Sequence, residues 1–258
     1  MACVKSAGLA PFAEAFAAAG FVTLAFDYRH WGLSGGEPRE LLSIAAQRDD
    51  YRTALAYVRA LKGVDPGRIF AWGTSFSGLH ILELAASEPT LAGAIAQNPI
   101  VDGLAQAMNA PLQGARLMAL ALLDRVGAWL GRPPRYLPVW VGVGELGVSS
   151  TSDSLRGLEL LKPRDGQAWL NRITARSLLE VPFTRPVRRA KNARCPLLLV
   201  VPKDDMLCPM RPALLAAIRA PHGELYRSNG GHWDVYAGGR DHDNVVAVEV
   251  AFLTRHAA

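Results

Sequence analysis

The chain has 258 residues, half of them apolar and a fifth charged, with a formal net charge of +5. That is an ordinary globular balance with ample material for a buried core, and it excludes an intrinsically disordered chain. The apolar run at residues 117–123 is seven residues long and stops at Asp124, far short of the roughly 20 that a membrane-crossing helix needs. No apolar stretch of signal-peptide type precedes Lys5. Cys3, Cys195 and Cys208 cannot all pair internally and lack metal-site spacing, which reads as reduced thiols in a cytoplasmic protein.

Residues 11–19 are alanine-rich, with Pro11 suited to a helix start and Gly20 to its stop. Residues 21–26, Phe-Val-Thr-Leu-Ala-Phe, read as a buried strand closed by the polar Asp27, Tyr28 and Arg29. Between residues 40 and 62 the apolar Tyr51, Leu55, Val58 and Leu61 recur at helical spacing, and Gly63 ends the element. Asp65-Pro66-Gly67 signals a turn. Residues 68–72 then read as a second strand with a helix directly behind it. Residues 91–96, 196–201 and 224–226 read as the third, fourth and fifth strands.

Strands alternating with helices predict an α/β fold, doubly wound around a mainly parallel sheet. The rhythm breaks at residues 102–193, which hold a helical piece at 119–130 and Gly/Pro clusters at 131–134 and 142–147. The expectation is a core of residues 1–102 and 194–258 with a helical cap insertion at 103–193. Residues 244–256 read as the closing helix, although Val245, Val246, Val248 and Val250 make a strand conceivable. Arg185, Arg188, Arg189, Lys191 and Arg194 form a basic cluster. With no interleaved aromatic residues and no nucleic-acid-binding motif, it reads as a solvated loop leading into a strand.

Two stretches match or nearly match Gly-x-Ser-x-Gly, the pattern of a nucleophilic serine on a strand-to-helix corner. The literal one is Gly32-Leu33-Ser34-Gly35-Gly36; the near match is Gly73-Thr74-Ser75-Phe76-Ser77-Gly78. Such a corner needs a strand running straight into the serine and a helix leaving at once. Ser34 comes seven residues after Asp27, and Gly35-Gly36-Glu37-Pro38 cannot open a helix. Ser75 follows Ile69-Phe70-Ala71-Trp72 directly and leads into helical residues 79–84. Strand and helix backbones come close at the corner, so the positions two before and two after the serine must be small. Gly73 and Ser77 meet that demand for Ser75, whereas Leu79 fails it for Ser77, whose hydroxyl reads as a helix-start group. The competing reading of Ser75 is an ordinary turn with a capping serine.

A serine hydroxyl is a poor nucleophile until a histidine takes its proton, and a carboxylate must hold that histidine in the right tautomer. The chain order on this kind of corner is serine, acid, histidine. Just beyond residues 197–201 come Asp204 and Asp205, at the strand end where ligands bind in α/β sheets. Asp205 is preferred over Asp204, with Asp102 third. Of the six histidines only His232 lies in a glycine-framed loop, Asn229-Gly230-Gly231-His232-Trp233, after the last expected strand. His80 reads as packing or capping, His242 and His256 as surface residues, and His30 as able to line the site from an earlier loop.

The segment from Gly73 to Gly78, Asp205 with Pro209 four residues later, and Gly230-Gly231-His232-Trp233-Asp234-Val235-Tyr236 together resemble the α/β-hydrolase superfamily. The likeness is to its bacterial serine branch of dienelactone-hydrolase-like or X-Pro-peptidase-like enzymes. Residues 27–36 resemble the loop after that family's fourth strand, which accounts for the literal motif there. The resemblance spans essentially the whole chain. It implies Ser75 as nucleophile, Asp205 as acid, His232 as base and the Phe76 N–H as one oxyanion donor, with no metal or organic cofactor. It implies a serine hydrolase cleaving small-molecule carboxylic esters or thioesters through an acyl-enzyme, with neither nucleic acid nor membrane as partner. Acyl transfer by the same three residues fits equally well, and a non-catalytic ligand- or partner-binding module is the alternative. Dienelactone hydrolases proper carry a cysteine where this chain has Ser75.

One departure stands out. The family's His-Gly signature, which supplies the second oxyanion donor, is absent along with the first three strands. Residues 11–19 resemble the helix that follows the third strand, and relatives place that strand between the fourth and fifth. Loss of one oxyanion donor typically costs about 10²–10³ in rate. Either the natural chain is longer at its start, the reading favoured here, or the two flanking strands pair directly in a degraded domain. Apolar residues of the cap (117–123, Trp129, Tyr136, Trp140 and Val141) are expected to line an acyl pocket or to pack on the core.

Overall fold

The computed structural model describes residues 2–163 and 169–257. Its strands are β1 (Phe70–Thr74), β2 (Gly93–Gln97), β3 (Tyr136–Pro138), β4 (Arg172–Thr174), β5 (Leu197–Val200) and β6 (Gly223–Tyr226). Its helices are α1 (Ala10–Ala18), α2 (Ile44–Arg59), α3 (Gly78–Ser87), α4 (Gly103–Met108), α5 (Pro111–Trp129), α6 (Ser154–Leu160), α7 (Met210–Arg219) and α8 (His242–Ala257). Strands β1, β2, β5 and β6 form an all-parallel sheet in the order β1–β2–β5–β6, and β3 with β4 forms a separate antiparallel pair.

Side chains alternate across the pleat, and this sorts the core into two layers. Ala71, Ala94, Ala96, Leu197 and Leu199 join an apolar cluster with residues of α3 and α7. Ile95, Leu198 and Val200 join a second cluster with Phe12 and Phe16 of α1 and Val245 and Phe252 of α8. The central strands β2 and β5 are buried along their whole length, which is why both read as near-continuous apolar runs. In α8, Val245, Glu249, Phe252 and Leu253 are buried at helical spacing. That packing outweighs the β-preference of its valines.

Residues 21–26 depart from the strand expected there. They belong to no sheet, and Val22 is 70% and Leu24 43% exposed. A strand needs a neighbour to take its N–H and C=O groups, and among the described residues no strand pairs with this segment. The direct pairing of residues 21–26 with β1 is thereby overturned.

Between Asp102 and Ala193 lie α4, α5, α6, the β3–β4 pair and two 3₁₀ segments, Ala175–Phe183 and Pro186–Asn192. Helix α5 is anchored by Asp124, which is fully buried and accepts from the Arg135 and Arg176 N–H groups and the Arg176 guanidinium at 2.7–3.1 Å. Its other face leaves Leu122, Leu123 and Trp129 exposed. The basic cluster is more ordered than a solvated loop. Arg185 pairs bidentately with Asp102 at 2.8 Å and Arg189 with Glu83 at 2.8 Å. No helix of the described residues is long and apolar enough to cross a membrane.

Candidate active site

Strand β1 runs into Ser75, and a 3₁₀ turn (Ser75–Ser77) leads at once into α3. Ser75 has φ +55°, a left-handed conformation that costs a non-glycine residue on the order of 1–3 kcal/mol and persists only where its surroundings enforce it. They do so here. The Ser75 N–H donates to Asn98 Oδ1 at 3.2 Å, and its C=O accepts from the Ile100 N–H at 3.0 Å. A Cβ on Gly73 would stand 2.8 Å from Ile81 Cγ1 and 2.9 Å from Ser77 Cβ, so the small-residue requirement at the corner is a packing fact.

His232 is fully buried in the loop after β6, where the Trp233 ring meets its imidazole edge-on at 4.9 Å between centroids. Its Nε2 lies 3.0 Å from Ser75 Oγ and its Nδ1 2.9 Å from Asp205 Oδ2. A carboxylate only accepts, so Nδ1 carries the imidazole proton and Nε2 accepts from the serine hydroxyl. The other Asp205 oxygen accepts from the Leu207 and Cys208 N–H groups at 2.9 and 2.8 Å, which fixes the carboxylate in the loop after β5. Phe76 is buried at the start of the 3₁₀ turn, where the first N–H groups of a helical segment lack intrahelical acceptors.

The other candidates lie elsewhere. Asp102 caps α4 through the Leu104 and Ala105 N–H groups and pairs with Arg185. Burial alone would raise its pKa, but those partners outweigh it and hold it below the usual carboxylate range. Asp204 is exposed. Ser34 donates to the Asp27 carbonyl at 2.7 Å, and the His30 ring bonds the Pro38 carbonyl at 3.0 Å rather than lining the site. Ser77 stands before α3 but makes no side-chain cap bond; its Oγ lies 3.5 Å from the Tyr28 hydroxyl. His80 packs in the core against Gln47 at 3.0 Å, and burial drives its pKa down to about 3. His242 and His256 are not plain surface groups, because they bond Val235 O and Glu224 at 2.9 Å.

Asn98 is the residue that sequence reasoning missed. Its Oδ1 accepts from Ser75 N and, at 2.7 Å, from Thr74 Oγ1, while its Nδ2 donates to the His232 carbonyl at 3.0 Å. One side chain thus ties the serine corner to the histidine loop. Its place just past the end of a buried strand, before Pro99, was the only signal. Cys208 also touches the site. Its thiol hydrogen-bonds Ser75, and burial together with the neighbouring Asp205 pushes its pKa well up. The thiol therefore stays protonated and does not compete as a nucleophile. Among the described residues, Asp205, Cys208 and His232 are the group whose ligand-type atoms converge, all within 4.8 Å. Both imidazole nitrogens are engaged there, by Ser75 Oγ and Asp205 Oδ2. Ser75 borders a cavity of about 770 Å³. Of the residues between 103 and 193 expected to line a pocket, Trp140 does so, and Leu117 and Ala121 pack in the core.

A family model described as serine aminopeptidase, S33 (Hydrolase_4) matches residues 3–235. The quorum-quenching protein AidA of Acinetobacter baumannii is 37% identical over 249 residues, covering 96% of this chain and 81% of AidA. A thiohydrolase of Eupenicillium brefeldianum is 26% identical, covering 97% of this chain and 82% of its own length. Among solved structures, the α/β hydrolase GrgF from a Penicillium species superposes with a TM-score of 0.83 at 27% identity, covering 99% of this chain and 87% of GrgF. The chain therefore belongs to the serine aminopeptidase S33 family, within the α/β-hydrolase superfamily.

Proposed function

We propose that this protein cleaves carboxylic esters or thioesters through an acyl-enzyme on Ser75, with His232 as base, Asp205 as orienting acid and the Phe76 N–H as an oxyanion donor. Ser75 Oγ attacks the carbonyl carbon as its proton passes to His232 Nε2. The negative charge on the carbonyl oxygen is taken up at the backbone N–H of Phe76. His232 then gives its proton to the departing alcohol or thiol, and an activated water reverses the sequence to free the acid and regenerate Ser75. Asp205 keeps Nδ1 protonated and stabilises the transient imidazolium. The observation that carries this reading is the unbroken relay Ser75–His232–Asp205 at 3.0 and 2.9 Å on a strained corner.

A second reading, acyl transfer to an alcohol or amine, draws on relatives named polyketide transferase at 28% and 27% identity. The chemistry differs only in the acceptor that meets the acyl-enzyme. In the same proposal residues 103–193 form a cap over the site, with Trp140 bordering the cavity beside Ser75. The likeness to dienelactone-hydrolase-like or X-Pro-peptidase-like enzymes rests on the sequence motifs. A cytoplasmic location draws support from Cys195 and Cys208, buried and outside any disulfide among the described residues.

Labelling with a fluorophosphonate probe tests the nucleophile. The wild-type chain is expected to react at Ser75, and Ser75→Ala to lose both the label and at least about 10⁴-fold of any esterase or thioesterase rate. Equal labelling of the two proteins, or none of either, overturns the proposal. Running the thioester assay with and without an added alcohol or amine separates hydrolysis from transfer.

A further inference from the structure

Four arginines line a recess of about 400 Å³ between α7 and the 3₁₀ segment Pro186–Asn192, together with a single acid, Asp102. Two helical repeats bring them together. Side chains three apart eclipse in a 3₁₀ turn, which puts Arg185 and Arg188 on one side of that segment. Residues four apart share a face of an α-helix, which sets Arg211 and Arg219 on either side of Leu215 along α7. Asp102 answers only one of the four. Its carboxylate is buried and holds Arg185 bidentately at 2.8 Å. Arg188, Arg211 and Arg219 are exposed, and among the described residues their guanidinium groups make no hydrogen bond or ion pair. Neither α7 nor residues 186–192 contain an acid. Elsewhere the chain pairs its arginines, Arg48 and Arg189 with Glu83, and Arg52 and Arg59 with Glu88. Like charges gathered on one recess repel, so the arrangement costs stability until an anion enters.

We propose that this recess binds an organic phosphate, its phosphoryl oxygens clamped by Arg188, Arg211 and Arg219. The guanidinium fork matches phosphate oxygens bidentately. The space exceeds what one phosphate ion fills, and Val187 and Leu215 add apolar lining for an attached organic body. A recess admits a small molecule, whereas the carboxylates of an acidic protein would need a flatter basic face. The recess is also joined to the candidate site. Asp102 follows β2, and Arg211 opens α7 six residues beyond Asp205. Helix α4, capped by Asp102, is tied to the Asp205 loop by a bond from Gln106 Nε2 to the Leu207 carbonyl at 3.0 Å. If Ser75 acts on thioesters, the reading on which this clause rests, the phosphate belongs to a nucleotide carried by the departing thiol. A free nucleoside diphosphate offers the same chemistry.

Isothermal titration calorimetry with ADP, coenzyme A, inorganic phosphate, adenosine and polyglutamate tests the site. It is run on the wild type and on Ser75→Ala, so that the result stands apart from the chemistry proposed at Ser75. ADP and coenzyme A are expected to bind both proteins saturably and more tightly than inorganic phosphate, with adenosine and polyglutamate silent. Arg188→Glu and Arg211→Glu should each weaken ADP binding by at least about tenfold, with Arg188→Gln replacing the first if the reversal lowers Tm. Arg132→Glu makes the same charge change outside the recess and should alter binding by no more than about twofold, because salt screens distant charges. The ratio of kcat/KM for a coenzyme A thioester to that for the matching pantetheine thioester separates the two sources. A fall of at least about tenfold in Arg211→Glu makes the nucleotide part of the substrate, and an unchanged ratio makes it a free ligand of the same site. Absence of ADP binding overturns the proposal, as does an equal loss in Arg132→Glu. So does inorganic phosphate binding as tightly as ADP, or binding of polyglutamate alone, which would mark an acidic protein surface as the partner.

Discussion

Glu249 lies fully buried on α8 with one hydrogen bond, accepted from the Trp72 indole N–H at 3.0 Å, and its other oxygen has no partner among the described atoms. Burial raises its pKa from 4.5 to about 8, with the indole bond pulling only weakly the other way. A carboxyl group with a raised folded-state pKa stabilises the fold fully below about pH 4.5, and that contribution is lost as pH climbs towards 8. Glu249→Gln keeps an oxygen for Trp72 and cannot ionise. It is expected to gain about 1–3 kcal/mol on the wild type between pH 5 and pH 8, read by urea denaturation at both; parallel pH profiles would count against this. The same scale shows what a sequence discloses about a site. The convergence of Ser75, Asp205 and His232 was legible because the proposed chemistry demands a motif, a chain order and small neighbours. Asn98 was not, because a side chain that holds other groups in place has no obligatory spacing.

Helix α5 depends on a buried charge. Asp124 meets five-donor Arg176 and two backbone N–H groups, and despite burial these partners hold its pKa below the usual range. Its stabilising effect is therefore present above the ordinary carboxylate range and fades as pH falls through the lowered value. Asp124→Asn should cost about 3–5 kcal/mol at neutral pH, since Arg176 is left unpaired. In thermal melts the gap from the wild type should narrow below about pH 4. A gap independent of pH would mean that shape rather than charge holds the helix. Most elements were readable from periodicity, with ends shifted by a few residues, and helix α8 resolved an open choice because buried packing decides it. Residues 21–26 misled for a physical reason. Periodicity reports what a segment could bury, whereas a strand also requires a neighbour that its own sequence does not describe.

Across the whole molecule, the three candidate site residues come from loops at the carboxyl ends of β1, β5 and β6, so the sheet itself sets their spacing. Parallel topology was implied by the alternation of elements, and the convergence of Ser75, Asp205 and His232 follows from it. The stretch from Phe21 to Phe26 has another consequence. Proteases bind backbone that can be drawn into their clefts, and residues 22–25 are exposed and outside any sheet. Limited digestion with chymotrypsin should therefore nick the native protein first after Leu24 or Phe26, with mass spectrometry recovering the remainder, from Ala25 or Asp27 onward, intact. A first cut in the glycine-rich residues 142–147 would show instead that those amides are guarded.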